Sequence, residues 1–421
     1  MSTTLTGLRY RLEPNPGHER VLAQSAGAVR WLWNWALAYC QDVWLAAQSA
    51  GATGLAGSVG YGHLSSLLPG LKKEFPWLSR APHHALQHTL RDLDGAFARF
   101  FSGAAGFPRF KRRGDREAIH FPDRRQFEVE GGWARLPKLG WVRFRQSRPM
   151  AGKVRSVSLC REGKHWHVSF CVEGDFSQPN AGMAPVGLDL GVVGSVTQSN
   201  GTVENFPVAT PDEERRLRWL ARQASKRVSG SRRHRRTLDR RAKIKRHIAN
   251  RRRDSAHKLS TRLASPHALI TIEDLKIRKM TASAKGTSAD PGRSVKAKAS
   301  LNRRMLANGH SDFRRMLAYK CERSGSRLVA VNPAHTSQTC SQCGHCAPEN
   351  RKSQAVFQCV ACGLNLNADV NAALNILAAG LAVSARGGSE TIPANEPRTH
   401  PRVRRKPAAS TGIPAKAAFA A

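Results

Sequence analysis

The pattern of apolar and polar residues predicts strands and helices in turn along the first half of the chain. A short strand at Tyr10–Pro14 precedes an amphipathic helix that begins near Gly17, and a second helical stretch spans His83–Phe101. From Ala118 to Glu173 apolar and polar residues alternate around turn signals such as Gly131-Gly132, which predicts strands. We therefore predict a β-barrel interrupted by a small helical unit.

The second half has the pattern of an α/β domain. A β-hairpin is predicted at residues 185–206, and buried strands are predicted at Ala268–Glu273 and Arg327–Asn332. A long basic helical stretch, Glu213–Leu263, contains a turn at Ser229–Ser231 and resembles a helical hairpin. A helix containing Phe313, Met316 and Leu317 precedes the last strand, and a final helix runs from about Ala368 to about Val383.

Three segments of the chain lack this periodicity. Residues 51–62 and Thr281–Lys298 are rich in small residues and are predicted to be loops. Residues 384–421 are rich in proline, alanine and arginine, which predicts a disordered tail. No internal repeat of useful length is present.

Charge changes the picture most. The 421 residues carry a formal net charge of +38, and past the first turn of the long helical stretch only Asp239 and Asp254 are acidic. Such an excess of positive charge favours binding to a polyanion, of which nucleic acid is the obvious example. No apolar run approaches the roughly 18 residues of a membrane span. We expect a soluble, cytoplasmic protein of a prokaryote that is associated with the nucleoid, with no membrane partner.

Five of the nine cysteines crowd into 23 residues, which indicates a metal site. Two CxxC units, Cys340/Cys343 and Cys359/Cys362, have the spacing of a zinc ribbon, and a glycine follows each unit. Four protein ligands would leave no open coordination position, so we predict one structural Zn²⁺. Cys346 lacks a following glycine and is predicted to be a bystander.

Three acidic residues are placed at or near the ends of predicted apolar elements: Asp189, Glu273 and Asp369. Each alone could be an acid exposed to water, but all three together favour one centre that binds cations, because a charge in an apolar run is otherwise costly. Such carboxylates can bind two Mg²⁺ ions that promote phosphodiester hydrolysis. Asp274 would point to the opposite face of its strand and is excluded.

These motifs carry a resemblance to a known family. The segments 187–191 (GLDLG), 272–275 (IEDL) and 367–373 (NADVNAA) resemble the three RuvC motifs of TnpB proteins and of small type V CRISPR effectors. Residues 336–344 (TSQTCSQCG) are similar to the family's entry into its zinc ribbon, and residues 106–111 (GFPRFK) and 136–142 (LPKLGWV) also fit. The likeness runs in order from about residue 8 to residue 380.

The resemblance implies an α/β multidomain protein with a guide RNA and target double-stranded DNA as partners. It implies RNA-guided cleavage of DNA beside a short motif that the protein reads in the flanking duplex. Arg351 resembles an arginine that contacts the scissile phosphate in such effectors. The implied domains are a wedge-like β-barrel (1–16 and 106–180), a helical recognition unit (17–105), an RNase H-like RuvC nuclease (181–335 and 367–383), a zinc ribbon inserted into it (336–366) and the tail (384–421).

Two other functional classes stay open at this point. A transposase that joins DNA strands would need the same acids and Mg²⁺ but no guide, whereas a non-catalytic nucleic-acid-binding regulator would not need the acids. The sequence does not separate a transposon-encoded protein from a CRISPR-associated one. It also does not predict the oligomeric state, the guide structure or the flanking motif.

Overall fold

The computed structural model describes residues 4–49, 59–114, 117–175, 182, 184–191, 196–287 and 290–385. The chain divides into two compact units, Met1–Phe176 and Ser177–Ala421. Most of the loop predicted at 51–62 and nearly all of the tail predicted at 384–421 lie outside the described residues.

The first unit is built on one antiparallel sheet of seven strands. Strand β1 lies in its centre, where it pairs with β7 on one side and β5 on the other. The predicted barrel is thus present as a sheet in the order β2-β6-β7-β1-β5-β4-β3. The strands are β1 (Thr4–Glu13), β2 (Ala118–Phe121), β3 (Glu128–Glu130), β4 (Trp133–Leu136), β5 (Gly140–Arg145), β6 (Lys153–Glu162) and β7 (His165–Gly174).

Three helices are inserted between β1 and β2, as the sequence predicted for the helical unit. They are α1 (Pro16–Ser49), α2 (Tyr61–Glu74) and α3 (His83–Phe101), with short 3₁₀ turns at Pro76–Arg80 and Arg124–Gln126. Helix α3 has the predicted bounds, whereas α2 was not predicted. Its sequence contains Pro69 and Gly70, which disfavour a helix, but Leu64, Leu68 and Leu71 are buried in the core of the unit.

The segment that joins the helices to the sheet is fixed to α1 by side chains. The indole Nε1 of Trp33 donates to the carbonyl of Arg109 at 2.9 Å. Asn34 donates to the carbonyl of Lys111 and accepts from its backbone N–H, at 2.9 and 2.7 Å. The Lys111 ammonium lies 3.6 Å from the centre of the Trp33 ring, and burial lowers its pKa to about 8. These contacts account for Lys111 in the segment 106–111 and hold the backbone of Arg109.

The second unit contains a five-stranded sheet in the order β10-β9-β8-β11-β12. Strands β8, β11 and β12 are parallel, while β9 is antiparallel to both β8 and β10, which is the arrangement of an RNase H-like domain. The strands are β8 (Val186–Asp189), β9 (Val196–Gln198), β10 (Val203–Glu204), β11 (Leu269–Glu273) and β12 (Arg327–Val331). Part of the predicted hairpin, residues 192–195, lies outside the described residues.

The helices of this unit are α4 (Pro211–Ser225), α5 (Arg232–Ala264), α6 (Ile277–Met280), α7 (Val295–Asn308), α8 (His310–Ser324) and α9 (Ala368–Ala385). A capping box of Thr210 and Glu213 starts α4, and the predicted turn separates α4 from α5. The prediction of a loop at Thr281–Lys298 is wrong from Val295 onward, where α7 begins. Between β12 and α9 a small hairpin is inserted, with strands β13 (Val356–Gln358) and β14 (Asn365–Asn367).

Helix α9 lies unusually close to the sheet because two glycines remove side chains from the contact. A Cβ atom on Gly187 of β8 would lie 2.2 Å from the carbonyl oxygen of Ala373, and one on Gly380 would lie 2.1 Å from Oγ1 of Thr271 in β11. By length and composition alone α9 could cross a membrane. These contacts instead mark it as a helix packed on the core of its own unit.

We predict that Gly187→Ala lowers the free energy of unfolding by about 1–3 kcal/mol, because the new methyl group meets backbone that cannot rotate away. Thermal or denaturant unfolding of the purified variant measures the change. Gly95→Ala is the matched control, since Gly95 lies inside α3 with no atom within 4 Å of the new methyl group. That control should stabilise the chain by about 0.5–1 kcal/mol. Equal behaviour of the two variants would contradict the close packing.

Candidate metal centres

The fold brings the three predicted acids to one edge of the sheet in the second unit. Asp189 ends β8 and Glu273 ends β11, and because these neighbouring strands are parallel their carboxyl ends share an edge. Asp369 lies in the first turn of α9, where Asn367 caps the helix by accepting hydrogen bonds from the N–H groups of Asp369 (2.9 Å) and Val370 (3.2 Å). The contact at Gly187 holds α9 against β8.

The pKa of Asp189 shows that the other two acids act on it. The pKa of Asp189 is raised from 3.8 to about 7. Burial is the largest cause, and the negative charges of Glu273 and Asp369 are the next. Burial also raises the pKa values of Glu273 and Asp369. The Leu190 backbone N–H stabilises the Asp189 carboxylate by a hydrogen bond but does not offset the other effects. The centre therefore has negative charge that the described residues compensate only in part.

Arg351 lies beside this charge. Its Nη2 lies 3.8 Å from Oδ1 of Asp369 and donates to the carbonyl of Gln354 at 3.2 Å. Its charge lowers the pKa values of both Asp189 and Asp369. Asp274 differs from its neighbour Glu273, because ion pairs with Arg314 (2.9 Å) and with Lys276 lower its pKa. The Asp274 carboxylate stays ionised, but it is already engaged by two protein cations.

The donor set fits hard divalent cations. Three carboxylates offer the oxygen ligands that Mg²⁺ prefers, and their raised pKa values show that a cation would be stabilised there. They do not form a tight single-ion cage: among the described residues, only a group of four cysteines has ligand atoms that all lie within 4.8 Å of one another. A wider spacing suits a centre in which carboxylates are divided between two ions.

Those four cysteines are Cys340, Cys343, Cys359 and Cys362, the set predicted from the sequence. The sulfurs of Cys340 and Cys362 lie 3.6 Å apart, as do those of Cys343 and Cys359. Tetrahedral coordination at a metal–sulfur distance of about 2.3 Å implies sulfurs about 3.8 Å apart, so the set fits such an ion. Cys346 is exposed and lies outside the group.

The backbone around the cysteines explains why a glycine follows each CxxC pair. Gly344 and Gly363 have φ values of +73° and +74°, and their N–H groups each donate at 3.0 Å to the carbonyl of the first cysteine of the pair. Backbone N–H groups of Cys362 and Ala361 donate to the sulfur of Cys359 and lower the pKa of this thiol to about 6. At Cys359 these backbone donors therefore favour the thiolate form that binds a metal.

Sequence reasoning missed the polar residues that connect the two centres. Thr336 donates to Oε1 of Glu273 at 2.6 Å. Asn371 accepts from the Ser341 N–H at 3.0 Å and donates to the Thr339 carbonyl at 2.8 Å, and Asn375 donates to the Thr336 and Thr339 carbonyls. The spacing of Asn371 and Asn375, four residues apart and so on one face of α9, was a signal that could have predicted a polar contact.

Three protein families match parts of the chain. The family described as "Cas12f1-like, TNB domain" matches residues 310–376, which include the four cysteines. The family described as "Probable transposase" matches residues 169–284, and a "Helix-turn-helix domain" matches residues 1–48. In this chain the segment that matches the helix-turn-helix family contains strand β1 and the single long helix α1.

Relatives with similarity over nearly the whole length decide the family. The chain is 39% identical to a protein of Escherichia coli (strain K12) named "Putative RNA-guided DNA endonuclease InsQ", over 91% of this chain and 94% of that protein. The chain belongs to the TnpB family. A relative from Streptomyces pristinaespiralis is named "Putative RNA-guided DNA endonuclease". It is 30% identical to this chain, over 98% of this chain and 99% of its own length.

A solved structure supports the predicted TnpB-like fold. The chain is similar to the protein in the cryo-EM structure of a Cas12f1-sgRNA-target DNA complex, with a TM-score of 0.54 and 13% identity, over 89% of this chain and 98% of that one. Together with the sheet order and the cysteine cluster, this confirms the predicted fold class.

We predict that Asp189→Asn stabilises the chain in magnesium-free buffer, and more so at pH 8 than at pH 5. Between pH 3.8 and about 7 the folded chain keeps a proton on Asp189 that the unfolded chain has released. The free energy of unfolding therefore falls as the pH rises, by up to about 1.4 kcal/mol per pH unit, and the neutral amide removes this loss. Melting temperatures of both proteins at the two pH values measure the effect.

Asp42→Asn, at an exposed acid of α1, is the control for the loss of one negative charge. A stabilisation by Asp189→Asn that is no larger at pH 8 than at pH 5 would contradict the raised pKa and the shared negative charge of the three acids.

Proposed function

We propose that this chain is an RNA-guided DNA endonuclease that hydrolyses target DNA at Asp189, Glu273 and Asp369. The observation that carries the proposal is the convergence of these acids at one sheet edge, where burial and then the charges of the other two raise the pKa of Asp189. The names of the E. coli and S. pristinaespiralis relatives support the same activity.

Each residue of the centre has a role that follows from its contacts. Asp189, Glu273 and Asp369 would hold two Mg²⁺ ions, which supply an activated water and Lewis-acid stabilisation of the leaving oxygen. Thr336 fixes the orientation of the Glu273 carboxylate through its hydrogen bond. Arg351, beside Asp369 and half-buried, offers a guanidinium to a phosphate oxygen of the strand that is cut.

The charge of the chain supports a guide RNA as the permanent partner and double-stranded DNA as the target. Phosphate contacts carry no base information, so basic helices alone cannot specify a long target, whereas pairing with a guide can. We assign RNA and DNA binding to the wedge-like sheet (1–16 and 106–180) and the helical unit (17–105). We assign cleavage to residues 181–335 and 367–383. Because the proposed target is DNA, we propose that the protein acts at the prokaryotic nucleoid.

We further propose that the four cysteines hold one structural Zn²⁺ in a ribbon at residues 336–366. Their sulfur spacing and the lowered pKa of Cys359 support a tetrahedral thiolate site with no open position.

Cys359→Ser should reduce the zinc content from one ion per chain to near zero and should destabilise the ribbon, because a structural zinc contributes on the order of 10 kcal/mol to local folding. Metal analysis of the purified variant measures the content. Cys346→Ser is the matched control and should keep one zinc, since Cys346 lies outside the group. Undiminished zinc in Cys359→Ser would exclude this ligand set.

The test of the activity exchanges the guide. The chain is purified with its RNA, the guide segment of the RNA is replaced, and two plasmids that match the old and the new guide are offered in Mg²⁺. We expect the cut to move to the plasmid that matches the new guide. Cutting that ignores the guide, or strand joining without RNA, would replace the proposal with a transposase; binding without any cutting would favour a regulator.

Two neighbouring acids give a matched pair for the same assay. Glu273→Gln should lower the cleavage rate by more than about 100-fold, because even residues that only support metal ligands cost 10- to 100-fold. Asp274→Asn should keep the rate within a few-fold, since its carboxylate is already paired with Arg314 and Lys276. Near-normal cleavage by Glu273→Gln would show that the acids have been assigned wrongly.

A further inference from the structure

Helix α4 exposes a tryptophan in a strongly basic environment. Its packing face carries Leu220 and Ala224, which are buried, whereas Trp219 is 51% exposed. An exposed indole in water forgoes the burial that usually stabilises this side chain. Its neighbours along the helix, Arg218 and Arg222, are exposed cations.

The residues that share its face are cations. At 3.6 residues per turn, Arg215, Trp219 and Arg222 align along the side of α4 opposite to Leu220 and Ala224, and the C-cap residue Lys226, which keeps helical dihedrals, continues this row. All four are exposed. We call these four residues the α4 stripe. It is about 16 Å long, enough for four to five stacked nucleotides at roughly 3.4 Å each.

Acidic compensation along the stripe is small. Arg215 has an ion pair with Asp212 that is fully at the surface, and such pairs contribute little. The other acids of α4, Glu213 and Glu214, lie in its first turn and pair with Arg251 (2.6 Å) and Arg218 (3.9 Å) outside the stripe. In α5 the only acids are Asp239 and Asp254, and Asp254 pairs with Lys258 at 2.8 Å. The stripe therefore combines a flat aromatic surface with positive charge on both sides of it.

This combination recognises unpaired nucleotides. An aromatic ring can stack only on a base whose face is free, while arginine and lysine bind the neighbouring phosphates. A duplex would offer its phosphates but not a base face. Of the two partners in the proposed function, the guide RNA is the one that is single-stranded before any target is bound, and its phosphates complement the charge of the stripe.

We propose that the α4 stripe binds an unpaired segment of the guide RNA, with one base stacked on Trp219 and phosphates beside Arg215, Arg222 and Lys226. The inference rests on the proposed function for its RNA partner. It adds a base-stacking site to the second unit. This site is separated along the chain from the three acids assigned to DNA cleavage.

The test uses the full-length chain freed of RNA and two fluorescent probes: a single-stranded RNA of mixed sequence and a duplex RNA of the same sequence. Trp219→Ala should weaken binding of the single strand by about 5- to 100-fold and leave duplex binding unchanged. Trp219→Phe, which keeps an aromatic face, should restore most of the affinity. These measurements separate stacking from a loss of folding, which would affect both probes.

Salt dependence separates the ring from the cations. Trp219→Ala should leave the slope of log affinity on log salt unchanged, because the indole has no charge, whereas Arg222→Ala should reduce the slope by about 0.7. Trp44→Ala is the matched control, since Trp44 is equally exposed (53%) in α1 but has no lysine or arginine within four residues. This control should bind the single strand like the unaltered chain.

Four results would overturn the proposal. The first is a Trp219→Ala chain that binds the single strand as tightly as the unaltered chain, and the second is an equal loss of affinity for the duplex. The third is an equal loss of affinity in Trp44→Ala. The fourth is a loss of affinity that appears only for single-stranded DNA offered to the RNA-loaded chain. The last would assign the stripe to the displaced DNA strand. Failure of the proposed function is distinct: the unaltered chain would then purify without RNA and prefer neither probe.

Discussion

The arrangement of the second unit depends on the close approach of one helix to the sheet. Helix α9 can lie against β8 and β11 only because Gly187 and Gly380 have no side chains, and a methyl group at either position would overlap Ala373 or Thr271. This contact determines where the first turn of α9 lies. Asp369 belongs to that turn, so a packing contact between backbones sets the distance from Asp369 to the strand-end acids.

The same approach forces negative charges together, and the fold bears the cost. The raised pKa of Asp189, about 7, shows that burial and repulsion destabilise its charged form. An amide or an apolar residue at this position would give a more stable fold, which indicates that the acid is kept for function. Arg351 offsets part of the charge from 3.8 Å away. The negative charge that remains favours bound cations. The arrangement of the acids is therefore explained by the proposed metal binding and not by a contribution to the stability of the fold.

The sequence predicted the parts of this arrangement that depend on local rules. The strand ends at Asp189 and Glu273, the CxxC spacing, the glycines after each pair and the bounds of α3 all follow from patterns within a few residues, and the structure has them. The first strand is longer than predicted and begins at Thr4, not at Tyr10. Helix α2 escaped prediction because Pro69 and Gly70 disfavour a helix that the burial of Leu64, Leu68 and Leu71 stabilises. Thr336, which donates to Glu273 from 63 residues away, could not be found by any local rule.

The polar contacts around α9 join the cysteine cluster to the acids. Asn371, fully buried, holds the backbone at Thr339 and Ser341 beside Cys340, and Asn375 holds the carbonyls of Thr336 and Thr339. Thr336 then donates to Glu273. Because an unpaired buried amide is costly, the loop that carries the first cysteines and the start of α9 are stabilised only when they are in register. A metal bound by the four cysteines would order this loop and thereby the side chain that orients Glu273, because three hydrogen-bonded residues connect the cysteine cluster to this carboxylate.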